Sequence, residues 1–270
     1  MSLFADQPLA RRLELTEGRG NAAFVEVQAR QDPASGATWA DIGGTLAMFS
    51  GVGSPLTQTF GLGVGGTLTD PDLEAIEAFF TSRGAAVSHE VSPLAGVEVF
   101  ARLAERGYRP VELSSVMFRP LGDSARAIDV NPRIRVRTVG PAEAGLYASV
   151  SARGWSEATE VQAFIEGFAR VSVEYATCVV AELDGVAIAT AALFLTEGVG
   201  LLAGASTVPE GRRHGAQSAL LDWRLRRLAD AGCDLAMICA APGSASQRNA
   251  ERNGFRIAYT RTKWQLGASI

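Results

Sequence analysis

Residues Leu201 to Ala240 read LLAGASTVPEGRRHGAQSALLDWRLRRLADAGCDLAMICA, and this stretch decides the fold. An apolar run (strand 199–208) gives way to a loop holding Pro, Gly and Arg. Leu220, Leu221, Leu225 and Leu228 then recur at the 3.6-residue period of a helix with one buried face, assigned to 215–231. A second apolar run, 235–240, closes a strand, loop, helix, strand unit.

The junction of loop and helix carries the chemistry. The first amides of a helix have no intrahelical acceptors, and the helix dipole favours an anion beside them. Gly215 lets the backbone approach such a ligand, and Arg212 and Arg213 add charge-assisted contacts to phosphate oxygens. The dipole supplies only about 0.3–2 kcal/mol, so the arginines and several amides share the task. Arg212, Arg213, His214, Gly215, Ala216, Gln217 and Ser218 are therefore the expected cradle of a diphosphate.

Working outward, strands 178–183 and 186–195 flank Asp184-Gly185, a pair that joins antiparallel strands. They follow a strand at 134–138 and helices near 142–152 and 160–171. Beyond the decisive stretch lie a helix at 246–253 and a strand at 255–266. The first half reads as a helix over 3–29, strands at 39–42, 46–49 and 57–62, and a helix opened by Asp70-Pro71 and ended near Gly84. A strand at 86–91, a helix at 97–106 and a strand at 110–119 complete it. Between the halves, Pro120 to Pro132 is rich in breakers, which gives expected domains 1–120 and 133–270 with a linker at 121–132. AERGYRPVELSSVMF from Ala104 aligns with AERNGFRIAYTRTKW from Ala250 after one gap, as expected of a duplicated domain. Chance similarity over one helix and strand stays open.

RRHGAQ, Arg212 to Gln217, resembles the pyrophosphate loop of the GNAT superfamily of N-acetyltransferases, Gln/Arg-x-x-Gly-x-Gly/Ala. Arg212 and Gly215 match, and Gln217 replaces the last small residue. PGSASQRNAERNGF resembles that superfamily's final helix with its closing Gly-Phe, so the likeness covers nearly all of 133–266. It implies an α+β fold of two tandem GNAT-like αβα domains, each a mixed, mostly antiparallel sheet flanked by helices. It implies acetyl-CoA (coenzyme A) as co-substrate, a small-molecule or peptide amine as acceptor, and transfer of the acetyl group to that primary amine. The resemblance also implies strands that splay around the pantetheine arm, met by the backbone of Ser206, Thr207 and Val208, with Ser246 and Asn249 farther along it. Gly204, a glycine within an apolar strand, marks the bulge that would free ladder groups there.

An amine of pKa near 10.4 is neutral in roughly one molecule in 2500 at pH 7, so acetyl transfer needs a base or a proton path. The resemblance places a Glu on or beside the splayed strand, yet 201–208 has no carboxylate. Glu157, Glu160, Glu197 and Glu210 are nearby in sequence and read first as solvated side chains. Where relatives hold a tyrosine to protonate the leaving thiolate, this chain has Ala250. Tyr175 and Tyr259 read as core residues, so no catalytic residue is named. Trp155 stands where relatives build an acceptor wall, although an aromatic between helices ordinarily packs on the core.

Composition bounds the rest. With 25 Lys and Arg against 29 Asp and Glu among 270 residues, the chain has no general attraction for nucleic acid. No run approaches the roughly 20 apolar residues of a membrane helix, and a cytoplasmic location is expected. Cys178, Cys233 and Cys239 read as buried small hydrophobes, and with only His89 and His214 beside them no metal site is expected. Gly61 to Gly66, GLGVGG, satisfies a dinucleotide fingerprint, but Thr67 to Pro71 intervene and Asp70, Asp72 and Glu74 at the helix start would repel a diphosphate. It reads as a glycine-rich connection, and the first copy is expected not to bind coenzyme A. Two other functions stay open on the residues alone: a non-catalytic acyl-CoA-binding or sensing protein, and a nucleotide or sugar-phosphate binder.

Overall fold

The computed structural model describes residues 3–122, 128–155 and 162–267. Its contacts divide the chain into two compact units, one of residues 1–118 with 239–270 and the other of residues 119–238. This differs from the expected division at 121–132, because the last 32 residues join the first unit.

In the first unit, α1 (Gln7–Gln31) precedes β1 (Thr38–Ile42), β2 (Thr45–Phe49) and β3 (Gln58–Phe60). Next come α2 (Asp70–Thr81), β4 (Ser88–Val91), α3 (Val97–Glu105) and β5 (Tyr108–Pro120), and from the far end of the sequence α7 (Ala245–Arg252) and β11 (Arg256–Leu266). The strand order is β1-β2-β3-β4-β11-β5, antiparallel except for β3 with β4. The two segments that look duplicated in sequence, α3-β5 and α7-β11, thus end in neighbouring strands: Thr262 faces Leu113 and Leu266 faces Tyr108 in a long antiparallel ladder. Under α2 and α3 lies an apolar core of Leu62, Leu73, Ile76, Phe80, Val91 and Leu103.

On α1, Glu14 and Glu17 turn charge inward. Arg261 Nη1, on β11, lies 3.3 Å from Glu14 and 2.8 Å from Glu17, and Lys263 lies 3.8 Å from Glu90. Arg261 Nε sits 2.8 Å from Glu90 Oε2, an ion-pair distance whose angle does not make a hydrogen bond. The Tyr259 hydroxyl donates to Glu14 at 2.8 Å, and the Cys239 thiol to Glu17 at 3.1 Å. Three carboxylates share one buried guanidinium, and burial, opposed by Arg261, pushes the Glu14 pKa up to about 7. Burial drives the neighbouring strand's His89 down to about 3, so it stays neutral, with Nδ1 2.8 Å from the Thr59 hydroxyl.

The second unit holds β6 (Ile134–Val139), α4 (Ala144–Gly154), α5 (Gln162–Ser172), β7 (Thr177–Leu183), β8 (Val186–Thr196), β9 (Val199–Thr207) and α6 (Ala216–Asp230). β10 (Leu235–Ala240) ends it, its last two residues falling in the first unit. The order β6-β7-β8-β9-β10 is antiparallel up to β9 and parallel between β9 and β10. Alternation along β7 assigns the faces. Val179 and Ala181 pack towards α6 with Ala216, Ala219 and Leu220, while Cys178 and Val180 pack on the other face with Tyr147 and Ala169. Asp184 and Gly185 both take positive φ, 50° and 85°, the two-residue hairpin expected from sequence.

The buried cluster gives a pH-dependent outcome. A carboxyl whose folded pKa lies above its ordinary value lends stability in acid, and that stability is lost as pH rises through the folded pKa. Glu14→Gln keeps an acceptor for Tyr259 and carries no charge, so its stability relative to the wild type should climb between pH 5 and pH 8, by up to about 3 kcal/mol. Urea unfolding at pH 5, 6.5 and 8 measures this; an offset independent of pH contradicts it.

Candidate functional site

β9 and β10 pair only at Val199, Gly200 and Leu201, opposite Leu235, Ala236 and Met237. β9 then runs on to Thr207 against β8 alone. Along that ladder Thr190 faces Ser206 and Ala192 faces Ala203, so one residue of β8 stands against two of β9. The extra residue is a bulge at Gly204, in the left-handed region at φ 61°. Gly204 and Ala205 are exposed, whereas Ser206 is buried.

Sequence reasoning assigns Ser206, Thr207 and Val208 to one role, but the structure separates them. The Val208 N–H donates to Ile188 and its carbonyl accepts from Gly211, both at 2.9 Å. The Ser206 hydroxyl lies in a buried set with Ser151 and Thr190, and its carbonyl accepts from the Gln217 side chain at 3.0 Å. Antiparallel strands turn alternate residues to opposite edges, so with Val208 bonded to β8 the main chain of Thr207 faces the edge that β10 has left. Of the three, Thr207 is the one whose backbone is turned outward.

The loop is shaped by backbone strain and by packing. After a short turn at Pro209–Gly211, Arg213 at φ 65° and Gly215 at φ 87° both enter the left-handed region. Asn131, from the expected linker, donates to the His214 carbonyl at 2.9 Å, and His214 Nδ1 lies 3.0 Å from the Arg212 carbonyl. Gly215 is the N-cap of α6 and supplies no side-chain cap, and the first helical hydrogen bond there is made by the Ala219 amide to the Gly215 carbonyl. The amides of Ala216, Gln217 and Ser218 therefore open towards the side where Arg212, Arg213, His214 and Gly215 are exposed. Gln217 Nε2, where the resemblance expects a small residue, reaches back to the Ser206 carbonyl and the Thr207 hydroxyl (2.8 Å), tying the helix start to the end of β9.

Other candidates fall elsewhere. Ser246 and Asn249 lie on α7, which belongs to the first unit, and are not brought together with the loop within one compact unit. Glu210 pairs with Arg153, Glu197 sits in the β8–β9 turn at φ 47°, and Glu157 and Glu160 lie outside the described residues. Tyr259 is committed to Glu14, and burial pushes its pKa well up. Burial likewise raises Tyr175 to about 12, beside Phe194. Trp155 caps the end of α4 at 46% exposure and is not the core residue that its setting suggests. Cys178 is buried, while Cys239 bonds Glu17 and Cys233 is only partly covered, so two of the three cysteines depart from the expected inert hydrophobe. Sequence reasoning missed Arg224 and Tyr147, both buried near the bulge on opposite faces of the sheet. Among the described residues no group of His, Cys, Asp and Glu could hold a metal ion, and no helix is long and apolar enough to cross a membrane.

Residues 148–255 match the acetyltransferase (GNAT) family, so this part of the chain carries a GNAT acetyltransferase domain. No curated protein matches the chain in sequence. Among solved structures, a GCN5-related N-acetyltransferase from Kribbella flavida superposes with a TM-score of 0.64 at 20% identity, over 92% of this chain and 96% of that one. A tandem GNAT protein from the clavulanic acid biosynthesis pathway gives 0.56 at 15%, covering 84% and 79%. A GCN5-related N-acetyltransferase from Sphaerobacter thermophilus gives 0.55 at 18%, covering 85% and 75%. At these identities the likeness is one of fold. Family and fold together support acyl transfer as the class of chemistry.

The loop geometry predicts a modest, localised penalty. A Cβ at Gly215 meets nothing nearer than Asn131 Cβ at 3.5 Å, so Gly215→Ala suffers the left-handed backbone rather than a clash. Its expected cost is about 1–2 kcal/mol of stability, read by urea unfolding. A loss above 4 kcal/mol would show that the loop is packed more tightly than these distances allow.

Proposed function

We propose that the chain is an acetyl-CoA-dependent N-acetyltransferase acting on a primary amine. The observation that carries this reading is the uncapped start of α6 beside the open edge of β9, within one unit. The residues fit the cofactor. The amides of Gly215, Ala216, Gln217 and Ser218, with Arg212 and Arg213 exposed alongside, offer donors and charge to a diphosphate. Thr207 offers its main chain to an amide-bearing arm, and the bulge at Gly204 and Ala205 offers amides to a carbonyl oxygen. Acetyl-CoA, when bound, supplies an acyl group activated as a thioester.

Gln217 acts at second hand: by holding the Ser206 carbonyl and the Thr207 hydroxyl it fixes the angle between strand edge and helix start. No carboxylate stands on β9, and Ala250 occupies the place in α7 where the resemblance expects a tyrosine. That observation favours a second reading, an acyl-CoA-binding sensor without turnover. We place the protein in the cytoplasm on the strength of its three free thiols.

Titration calorimetry with coenzyme A, its dephospho form and ATP tests the binding half. Coenzyme A should bind, and Arg212→Ala with Arg213→Ala should weaken it by about tenfold or more, since each charge-assisted contact is worth roughly 1.5–3 kcal/mol. ATP binding without coenzyme A binding defeats the proposal. Thiol release from acetyl-CoA over a panel of amines tests the catalytic half, and binding without release across the panel favours the sensor.

A further inference from the structure

Arg224 lies two turns into α6, at 2% exposure, the largest of the fully buried side chains. Its Nε donates to the Leu220 carbonyl at 3.1 Å on its own helix. Nη1 reaches the Ala192 carbonyl on β8 at 3.3 Å and, at the long limit of 3.5 Å, the Ala203 carbonyl on β9. These are the two residues that face each other just before the ladder breaks at Gly204. Burial lowers the Arg224 pKa to about 10, opposed by the Tyr147 phenol. Tyr147, itself buried and hydrogen-bonded with Cys178, places its hydroxyl 3.5 Å from where a Cβ on Gly204 would stand.

A guanidinium taken out of water with main-chain carbonyls as its hydrogen-bond partners and, among the described residues, no paired carboxylate is costly. Leucine or methionine would fill the same space on a helix face otherwise made of Leu220, Leu221, Leu225 and Leu228. What an apolar residue could not do is reach two carbonyls on adjacent strands at once, which the two N–H groups of Nη1 do while Nε holds the Leu220 carbonyl. The strand pair entering the bulge is thus held by Arg224 from the α6 face, with Tyr147 close to Gly204 on the other face, while Gly204 and Ala205 stay exposed. A positive charge close to those amides, in a poorly polar interior, also reinforces their pull on a carbonyl oxygen.

We propose that Arg224 is a positioning residue for the acyl group: holding the Ala192 and Ala203 carbonyls, it fixes the Gly204–Ala205 bulge so that its amides face a thioester carbonyl. This rests on the acetyl-CoA reading above and deepens it. The consequence is separable from stability, because coenzyme A lacks the acyl group and gains nothing from the bulge, whereas acetyl-CoA does.

The test is titration of the full chain with coenzyme A and with acetyl-CoA, for the wild type, Arg224→Met and Arg224→Lys, with melting curves alongside. Methionine removes donors and charge; lysine keeps a charge and donors but loses the Nε bond to Leu220 that orients Nη1. The ratio of acetyl-CoA to coenzyme A affinity should fall about tenfold in the methionine variant, the loss of one good hydrogen-bonding interaction, and by a smaller factor in the lysine variant. Coenzyme A affinity itself should stay within about threefold, which is under 1 kcal/mol. If the ratio is unchanged, even where both affinities and the melting temperature drop together, Arg224 is merely structural and the proposal fails. Should the methionine variant not fold, the lysine variant decides by the same ratio. A wild type that binds neither ligand overturns the acetyl-CoA reading instead, and the two failures are thereby told apart.

Discussion

β9 must keep its partner on one side while losing it on the other. β8 accompanies it to Thr207, but β10 leaves after Leu201, and a strand in that position exposes donors and acceptors along half its length. The bulge at Gly204 is the means by which the second unit accommodates this. It inserts one residue, turns Gly204 and Ala205 outward, and re-phases the strand so that Thr207 rather than Val208 faces the open edge. The loop that follows, with its two left-handed residues, returns the chain so that α6 begins beside that edge, and the Gln217 side chain fastens the two together. Strand edge, loop and helix start are therefore one construction.

The first unit solves a different problem. Its sheet recruits β11 from the far end of the chain, and β11 brings Arg261 into the space where Glu14, Glu17 and Glu90 converge. Removing that guanidinium would strip Glu14 and Glu17 of their ion pair and leave Glu90 to Lys263, 3.8 Å away, so the strand's place in the sheet is specified by charge as well as by the ladder. An apolar strand could slip register or be exchanged for β5, which resembles it in sequence. Arg261 favours the register that sets it against Glu14, Glu17 and Glu90.

Much of this is legible in the sequence because it is local. The helix at 216–230 declares itself by Leu220, Leu221, Leu225 and Leu228, the β7–β8 hairpin by Asp184-Gly185, and the bulge by a lone glycine in an apolar strand. Sheet membership is not local. Nothing within 256–266 says whether that strand closes the second unit or enters the first, and there the compact units differ from the half-by-half division. The exposure of Trp155 escapes for the same reason, since burial depends on what is packed against α4. The commitment of Val208 to Ile188 escapes because ladder phase changes by one residue at the bulge. Arg224 is a different case: it falls within the apolar stripe of α6, four residues after Leu220 and four before Leu228, and a charge on a buried face is a visible anomaly.

The two glycine-rich connections show why pattern alone misleads. Both units run strand, loop, helix at this point, and by glycine count GLGVGG is the stronger phosphate motif. Its glycines are consumed elsewhere. A Cβ on Gly65 would stand 1.9 Å from the Gly44 carbonyl, and one on Gly66 2.5 Å from the Gly43 carbonyl, so these residues are small because the β1–β2 turn presses on them. The helix that follows is closed by its own side chains, with Thr69 and Asp72 capping each other's backbone, and its first turn is acidic. In RRHGAQ the single glycine has room, since a Cβ there meets only ordinary contact, and the helix beyond it has no side-chain cap. A donor set already satisfied by its own chain has nothing left for a ligand, whatever the motif spells, whereas an unsatisfied one with arginines beside it does. What distinguishes the two loops is therefore the fate of the first amides of α2 and α6.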